Sequence, residues 1–255
     1  MAAVFSLQVR QILCDRRLLL LALFLCLPVV LAGAIRWGGG FTPGAQPDDE
    51  KLGVGIFLFL LYPQAMCELL SLLFASSLVS AEIDGQTLTY LFTRPVPKWR
   101  IVVGKYAAMW ITLVVPVVAS LVVSWMVLGA VGGARLLSGM CLGVGASLLA
   151  YGAVFAFIGV VVPNRAMAVG LLYAMIEFAL SYVPAVLNNL TVTYYLRSLV
   201  ARILDVKIPI EAQRIVGGAS LSLSCAALAG MVLAALAAAS WVVSQAEFVV
   251  ARGDG

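Results

Sequence analysis

The chain contains no histidine, and charged residues make up only 11% of its 255 residues. Without histidine, a Ser–His catalytic pair and most zinc sites are excluded. The phosphate-binding pattern GxxxxGK[ST] is also absent, because Gly104-Lys105 is followed by Tyr106. The five cysteines form no CxxC pair, and four lie in apolar runs, as reduced packing residues would. These absences indicate that the chain alone is not an enzyme and needs no cofactor of its own.

Apolar residues dominate what is present. Hydrophobic residues account for 63% of the chain, and the mean hydropathy is +1.08. A soluble domain is about 45–50% apolar and about 25% charged. The net charge of +4 is spread along the chain and forms no basic patch, so nucleic acid is not an expected partner. The composition is that of an integral membrane protein, for which lipid is an obligatory neighbour.

Six apolar runs are long enough to cross a bilayer as helices, which takes about 20 residues each. We therefore predict an all-α polytopic membrane protein in which residues 1–255 form a single transmembrane domain. The predicted spans are residues 18–35, 52–79, 101–128, 136–162, 166–187 and 218–243.

Lysines and arginines predict the orientation of these spans. An even number of spans places both termini on one side, and the strongest basic cluster at a membrane end is Arg94, Lys98, Arg100 and Lys105. Basic residues near membrane ends favour the cytoplasmic side. Both termini are thus expected in the cytoplasm. The basic N-terminal segment before the first span is expected to form an interfacial helix.

The charged stretch 80–100 interrupts the apolar pattern between spans two and three. Leu88, Leu91 and Phe92 recur at helical spacing, and Pro95 ends the helix that they predict. A short amphipathic helix on the cytoplasmic side is suited to docking into a groove of a partner protein, with Tyr90 as a further anchor. From the local pattern alone, a helix lying on lipid headgroups is an equally good interpretation.

The same stretch resembles the signature of ABC-2 type transporter permeases. The matching residues are Glu82, Asp84, Gly85, Thr87, Leu88, Tyr90, Leu91, Thr93, Arg94, Pro95, Val96, Lys98, Trp99, Arg100, Gly104 and Lys105.

The resemblance implies that this stretch is a coupling helix, which sits in a groove of a separate ATP-binding cassette subunit. It implies two such subunits, with ATP and Mg²⁺ bound there, and a second copy of this chain or a similar permease. It also implies a bacterial cytoplasmic (inner) membrane. The expected partner-binding residues are Glu82, Asp84, Gly85, Thr87, Leu88, Tyr90, Leu91, Phe92, Arg94 and Pro95.

Two acidic residues fall at membrane depth. Glu68 shares a helix face with Gln64, and Glu177 shares one with Tyr173. These four residues are candidates for a translocation path or a proton site, because a buried carboxylate is costly unless it is paired, solvated or protonated. The alternative is a neutral glutamic acid that hydrogen-bonds between helices. No lysine or arginine at membrane depth is expected to be available as a partner for either acid.

The segment before the last span predicts an amphipathic helix. Its apolar residues are spaced at helical intervals, whereas Arg197 and Ser198 lie away from the apolar stripe. We expect this helix on the outer leaflet or dipping into it. The apolar stripe is Val192, Tyr195, Leu196, Leu199, Val200 and Ile203.

Together these features predict a permease subunit that exports an apolar or lipid-like substrate with ATP hydrolysed by another chain. Two alternatives stay open: a secondary transporter with Glu68 or Glu177 as a proton relay, and a membrane subunit for metalloenzyme maturation. Of the three interpretations, only the exporter requires an ATP-binding partner to move its substrate.

The predicted topology can be tested by cysteine labelling. A cysteine introduced at Thr93 should react with a membrane-impermeant maleimide only from the cytoplasmic side, and one at Thr42 only from the outside. The opposite labelling pattern would show that both termini lie outside.

Overall fold

The computed structural model describes residues 17–39, 47–76, 98–181, 189, 191–204 and 219–245. Within these ranges the regular structure is helical throughout, with no strand. The all-α prediction is therefore confirmed for the described residues. The predicted N-terminal interfacial helix lies outside them, as does the predicted coupling helix with every expected partner-binding residue from Glu82 to Pro95.

Eight α-helices and one π-helical segment are named here in chain order. They are α1 (Arg17–Trp37), α2 (Pro47–Phe59), the π segment (Leu60–Met66), α3 (Cys67–Ala75), α4 (Lys98–Val127), α5 (Gly133–Val161), α6 (Ala166–Leu180), α7 (Val192–Leu204) and α8 (Leu221–Gln245).

Five described stretches are long and apolar enough to cross a membrane. They are Leu19–Trp37, Glu50–Ala75, Val102–Val127, Gly133–Val161 and Leu221–Val243. These coincide with predicted spans one to four and six. The fifth prediction, 166–187, begins correctly at Ala166, but α6 has only 15 residues and falls short of a full crossing.

Helix α5 is the centre of the bundle and packs against α3, α4, α6, α7 and α8. Small residues allow the close approach. A Cβ on Gly143 would lie 2.8 Å from a Val200 methyl of α7, and Gly139 faces Ile203 and Leu204. The small residues Gly139 and Gly143 of α5 thus pack within the chain, as such residues do in membrane helices.

Helix α8 also has small residues at four-residue spacing, but they do not pack against the described helices. Ser222, Ala226 and Gly230 are exposed, and a Cβ on Gly230 would meet nothing within 4 Å. This face of α8 therefore points away from the described helices.

The two ends of the bundle can be defined by α5. At one end, the Gly132 end, Gly55 of α2 lies against Leu136, and Arg36 at the end of α1 donates to Leu128 O at 3.1 Å. At the opposite end, the Gly159 end, the Ser76 backbone lies against Gly159. Helices α2 and α3 therefore run in the same direction as α5.

The π segment interrupts the second span at Pro63. Proline has no backbone N–H to continue the α-helical hydrogen bonds, which agrees with the distortion expected at this residue. Tyr62 within the segment is fully buried, and its hydroxyl lies 2.8 Å from Ser120 Oγ and 2.7 Å from Ser124 Oγ of α4. The segment also turns Gln64 into the protein interior, where it is 4% exposed.

Helices α6 and α7 both run along α5 towards the Gly132 end. Helix α6 starts beside the Gly159 end and brings Glu177 to Tyr151 in the middle of α5. Helix α7 begins at that same level, where Thr193 contacts Tyr151, and ends at Leu204 beside Gly139. The two helices are thus successive halves of one path along α5.

The predicted amphipathic helix is present as α7, but its polar face is not exposed to water. Arg197 is 8% exposed and Ser198 is fully buried. Where this helix lies relative to the outer leaflet stays a prediction, but the face that carries Arg197 and Ser198 is buried within the bundle. The physical reason is that polar groups of other helices meet this face, so burial leaves the guanidinium hydrogen-bonded.

The contact between Ser76 and Gly159 provides a test of this packing. A Cβ at Gly159 would lie 2.4 Å from the Ser76 carbonyl oxygen, a backbone atom that cannot rotate away. We expect Gly159→Ala to destabilise the protein by about 1–3 kcal/mol, as overpacking does. Unfolding by SDS from mixed micelles measures the change.

Gly145→Ala is the matched control in the same helix. A Cβ there meets nothing within 4 Å, so this substitution should be neutral or should stabilise by up to about 1 kcal/mol. Equal effects of the two substitutions would contradict the close contact at Gly159.

Candidate functional site

A buried arginine links α7 to the second span. Arg197 Nη1 donates to Ser181 O at 3.1 Å, and Nη2 donates to Gln64 Oε1 at 3.1 Å and to Ser181 Oγ at 3.4 Å. Ser181 directly follows α6. The guanidinium therefore joins the π segment, the end of α6 and α7 at one point.

Glu177 receives the N-terminus of α7. Its Oε1 accepts the backbone N–H of Thr193 at 3.0 Å and lies 3.2 Å from Thr193 Oγ1. The free N–H groups at a helix start carry a partial positive charge, which favours an anion at this position. Thr191 caps the same helix start through a bond from Tyr194 N to its Oγ1 at 3.3 Å. The carboxylate thus anchors a helix that begins inside the bundle.

Tyr151 of α5 completes this anchor. Its hydroxyl lies 3.1 Å from Glu177 Oε1 and 2.8 Å from Thr193 Oγ1. The hydroxyls of Tyr151 and Thr193 each have one proton. They therefore supply two donors for the three contacts among Tyr151, Thr193 and Glu177 Oε1. Glu177 Oε1 consequently accepts the Thr193 N–H and at least one hydroxyl whichever way they rotate.

Glu68 of α3 lies near these residues, but its surroundings differ from those of Glu177. It is 7% exposed, and its Oε1 has no hydrogen-bond partner among the described residues. Ser71 Oγ, one turn further along α3, and Gln64 Nε2, one turn before, are also buried without a partner there. The carboxyl groups of Glu68 and Glu177 are close enough to interact electrostatically.

The cluster lies deep in the apolar part of the bundle. Tyr151 is ten residues from the end of α5 at Val161 and eighteen from its start at Gly133, or about 15 Å and about 27 Å at 1.5 Å per residue. Both distances place it within a hydrocarbon layer of about 30 Å. We call this group the polar cluster; its members are Gln64, Glu68, Ser71, Tyr151, Glu177, Ser181, Thr193 and Arg197.

The four predicted path residues are brought together by the fold. Gln64 and Glu68 are in the polar cluster with Glu177, and Tyr173, one turn before Glu177, interacts with its carboxyl group. Whether they line a translocation path stays a prediction. Arg197, which lies outside the predicted spans, joins this group by donating to Gln64.

Sequence reasoning missed Arg197, Thr193 and Tyr151. A usable signal was present for the first two, because Thr193 and Arg197 are four residues apart and share one face of α7. That face was recognised as polar but was not connected with the acids. Tyr151 stands in an apolar stretch of span four, and no local pattern distinguishes it from a core tyrosine.

The chemistry open to this site follows from its buried charged groups. The described residues contain no group of three His, Cys, Asp or Glu side chains that could hold a metal ion. They do place two carboxyl groups and one guanidinium in a low-dielectric interior, where electrostatic forces are strong. The site can therefore hold α7 in place through charge.

Removing the Tyr151 hydroxyl tests the anchor. Tyr151→Phe should destabilise the protein by about 1–2 kcal/mol, because Glu177 and Thr193 lose a buried hydrogen-bonding partner. Combined with Thr193→Val, the effects should not add, since the two hydroxyls belong to one network. SDS unfolding of both single variants and the double variant gives the interaction energy.

Tyr195→Phe, also in α7 but outside the polar cluster, is the control and should change stability little. Additive effects of Tyr151→Phe and Thr193→Val would show that the two hydroxyls act independently.

Comparison with known proteins assigns the chain to a family. A family model described as "ABC-2 family transporter protein" matches residues 16–183, which include α1 to α6 and the residues Gln64, Glu68 and Glu177. No curated protein matches the chain in a sequence search. The family match covers more than half of the sequence, and the apolar helices are those of a membrane protein. The chain belongs to the ABC-2 family of transporter proteins and is a membrane permease component.

Proposed function

We propose that the chain is the membrane-spanning half of an ATP-driven exporter. It pairs with a second copy of itself or with a similar permease, and with two ATP-binding cassette subunits that hold ATP and Mg²⁺. The observation that carries this proposal is the family match over residues 16–183. The absence of a GxxxxGK[ST] pattern in the sequence agrees with hydrolysis in a separate chain.

The packing of α3 and α4 supports a mechanical role for the stretch between them. Residues 77–97 connect the end of α3 to the start of α4, and α3 is held against α5 where Ser76 meets Gly159. A force applied to the connecting stretch would act on α3, which carries Glu68 of the polar cluster. Nucleotide-driven closure of the ATP-binding subunits would supply this force.

We also propose six membrane crossings, with the fifth made of two half-helices. Helix α6 covers the half near the Gly159 end, and α7 covers the half near the Gly132 end. Broken helices of this kind line binding sites in other transporters, where their free ends face charged groups. With both termini in the cytoplasm of a bacterial cell, the Gly159 end faces inwards and the chain lies in the inner membrane.

The proposed substrate is apolar or lipid-like. Helix α6 exposes a continuous apolar face on the side opposite the polar cluster, which would contact lipid acyl chains. A substrate dissolved in the bilayer could reach the permease along this face without crossing water. The exposed residues are Met167, Leu171, Leu172, Met175, Ile176 and Phe178.

A proton-coupled secondary transporter is the second candidate. The observation in its favour is the burial of Glu68 and Glu177, which are 7% and 3% exposed. Such carboxyl groups at membrane depth often serve proton relays. Transport into vesicles that requires ATP and persists without a proton gradient would favour the exporter over this candidate.

The coupling helix can be tested by truncating its apolar anchors. Leu91→Ala combined with Phe92→Ala should release the ATP-binding subunit that co-purifies with the native chain. Each anchor at the centre of an interface typically contributes about 2 kcal/mol or more, so losing two would dissociate a micromolar complex. Pull-down stoichiometry and the ATPase activity of the reconstituted complex measure the effect.

Phe41→Ala, in the predicted outer loop, is the matched control and should leave the complex intact. Undiminished partner binding by the Leu91/Phe92 double variant would show that this stretch does not hold the ATP-binding subunit.

A further inference from the structure

The two acids of the polar cluster differ in what surrounds their oxygens. Glu177 Oε1 accepts the backbone N–H of Thr193 and lies within hydrogen-bonding distance of the Tyr151 and Thr193 hydroxyls. Glu68 Oε1 is buried and accepts no hydrogen bond from the described residues. A buried carboxylate oxygen without a donor is disfavoured, and the usual response is to take up a proton. Glu177 Oε2 is also buried without a partner among the described residues, but Glu177 has donors at its other oxygen.

The charges of the neighbouring groups lead to the same assignment. From α6, Glu177 and Tyr173 face Glu68, and from α5 Tyr151 does so. Arg197 of α7 donates to Gln64, one turn before Glu68, and the adjacent Cys67 thiol contacts Val144 O.

From α4, Tyr106 lies beside Gly152, next to Tyr151, and its hydroxyl donates to Leu149 O; the preceding residue, Lys105, is also buried. Within the polar cluster itself there are two carboxyl groups, Glu68 and Glu177, and one guanidinium, Arg197. Two ionised carboxyl groups close together at membrane depth would repel each other.

We propose that Glu68 is a proton-binding residue of the permease, protonated while α7 is seated on the polar cluster and deprotonated when the cluster opens. In the seated state the proton on Glu68 lowers the negative charge beside the Glu177 carboxyl group. Loss of this proton converts Glu68 to a carboxylate, and the proton passes to water that enters with opening. Only this proton is transferred, and no group is oxidised or reduced.

The exchange affects α7 because Arg197 of α7 donates to Gln64, which lies one turn before Glu68 in the second span. With Glu68 neutral, the guanidinium is held by Ser181 and Gln64. With Glu68 ionised, a carboxylate competes with these neutral acceptors, and charge-assisted hydrogen bonds are the stronger ones. The protonation state of Glu68 therefore sets how firmly α7 is held to the second span.

Infrared difference spectroscopy of the full chain in lipid nanodiscs tests the assignment without any ATP-binding subunit. The native protein should show the C=O stretch of one buried protonated carboxyl group, and the band should decrease as pH rises. Glu68→Gln should remove this band, whereas Glu50→Gln, an acid at the other end of the second span, should leave it unchanged. Glu68→Asp keeps the carboxyl group and should restore a band at a shifted frequency.

Three outcomes would overturn the proposal. An unchanged band in Glu68→Gln would show that Glu68 is ionised in the native state. A band that stays constant at every pH would show a fixed structural proton. A band displaced by sodium chloride but not by choline chloride would show a sodium site instead. Because these measurements need no partner or substrate, they stand apart from any failure of the ATP-driven mechanism.

Discussion

The structure depends on one constraint: a polar group in the hydrocarbon layer must find its partner inside the protein, because no water is available there. The second span and the α6–α7 path both break their regular helical geometry at membrane depth, at Pro63 and between α6 and α7. Each break leaves polar groups without a partner in a regular helix, and the two breaks lie near one another along α5. The polar cluster is the arrangement in which these groups satisfy one another.

Helix α5 makes this arrangement possible because of its small residues. Gly143 allows both the π segment and α7 to approach its backbone closely, since a Cβ there would lie 2.8 Å from Val200 and 3.4 Å from Pro63. Tyr151, further along the same helix, then reaches Glu177 and Thr193 with its hydroxyl. The polar contacts thus depend on the close packing, because the glycines set the distances at which the hydrogen bonds form.

The proposed transport cycle uses this cluster as the link between force and movement. The connecting stretch 77–97 would pass movement to α3, and α3 carries Glu68 beside the groups that hold α7. A half-helix held by a few buried polar contacts can change position without unfolding a full span, because its backbone hydrogen bonds are its own. A proton on Glu68 would make this movement sensitive to charge as well as to force.

The sequence by itself determined the class of the protein and the placement of its long apolar helices, because twenty-residue apolar runs have few alternatives to spanning a bilayer. It also identified Glu68 and Glu177 as exceptional, since a carboxyl group in such a run is costly wherever the helices lie. Only the tertiary structure decided that Arg197 is buried with them. An amphipathic pattern states that two faces differ, but a polar face can meet water or other polar residues, and only the packing of α7 against α5 selects between the two.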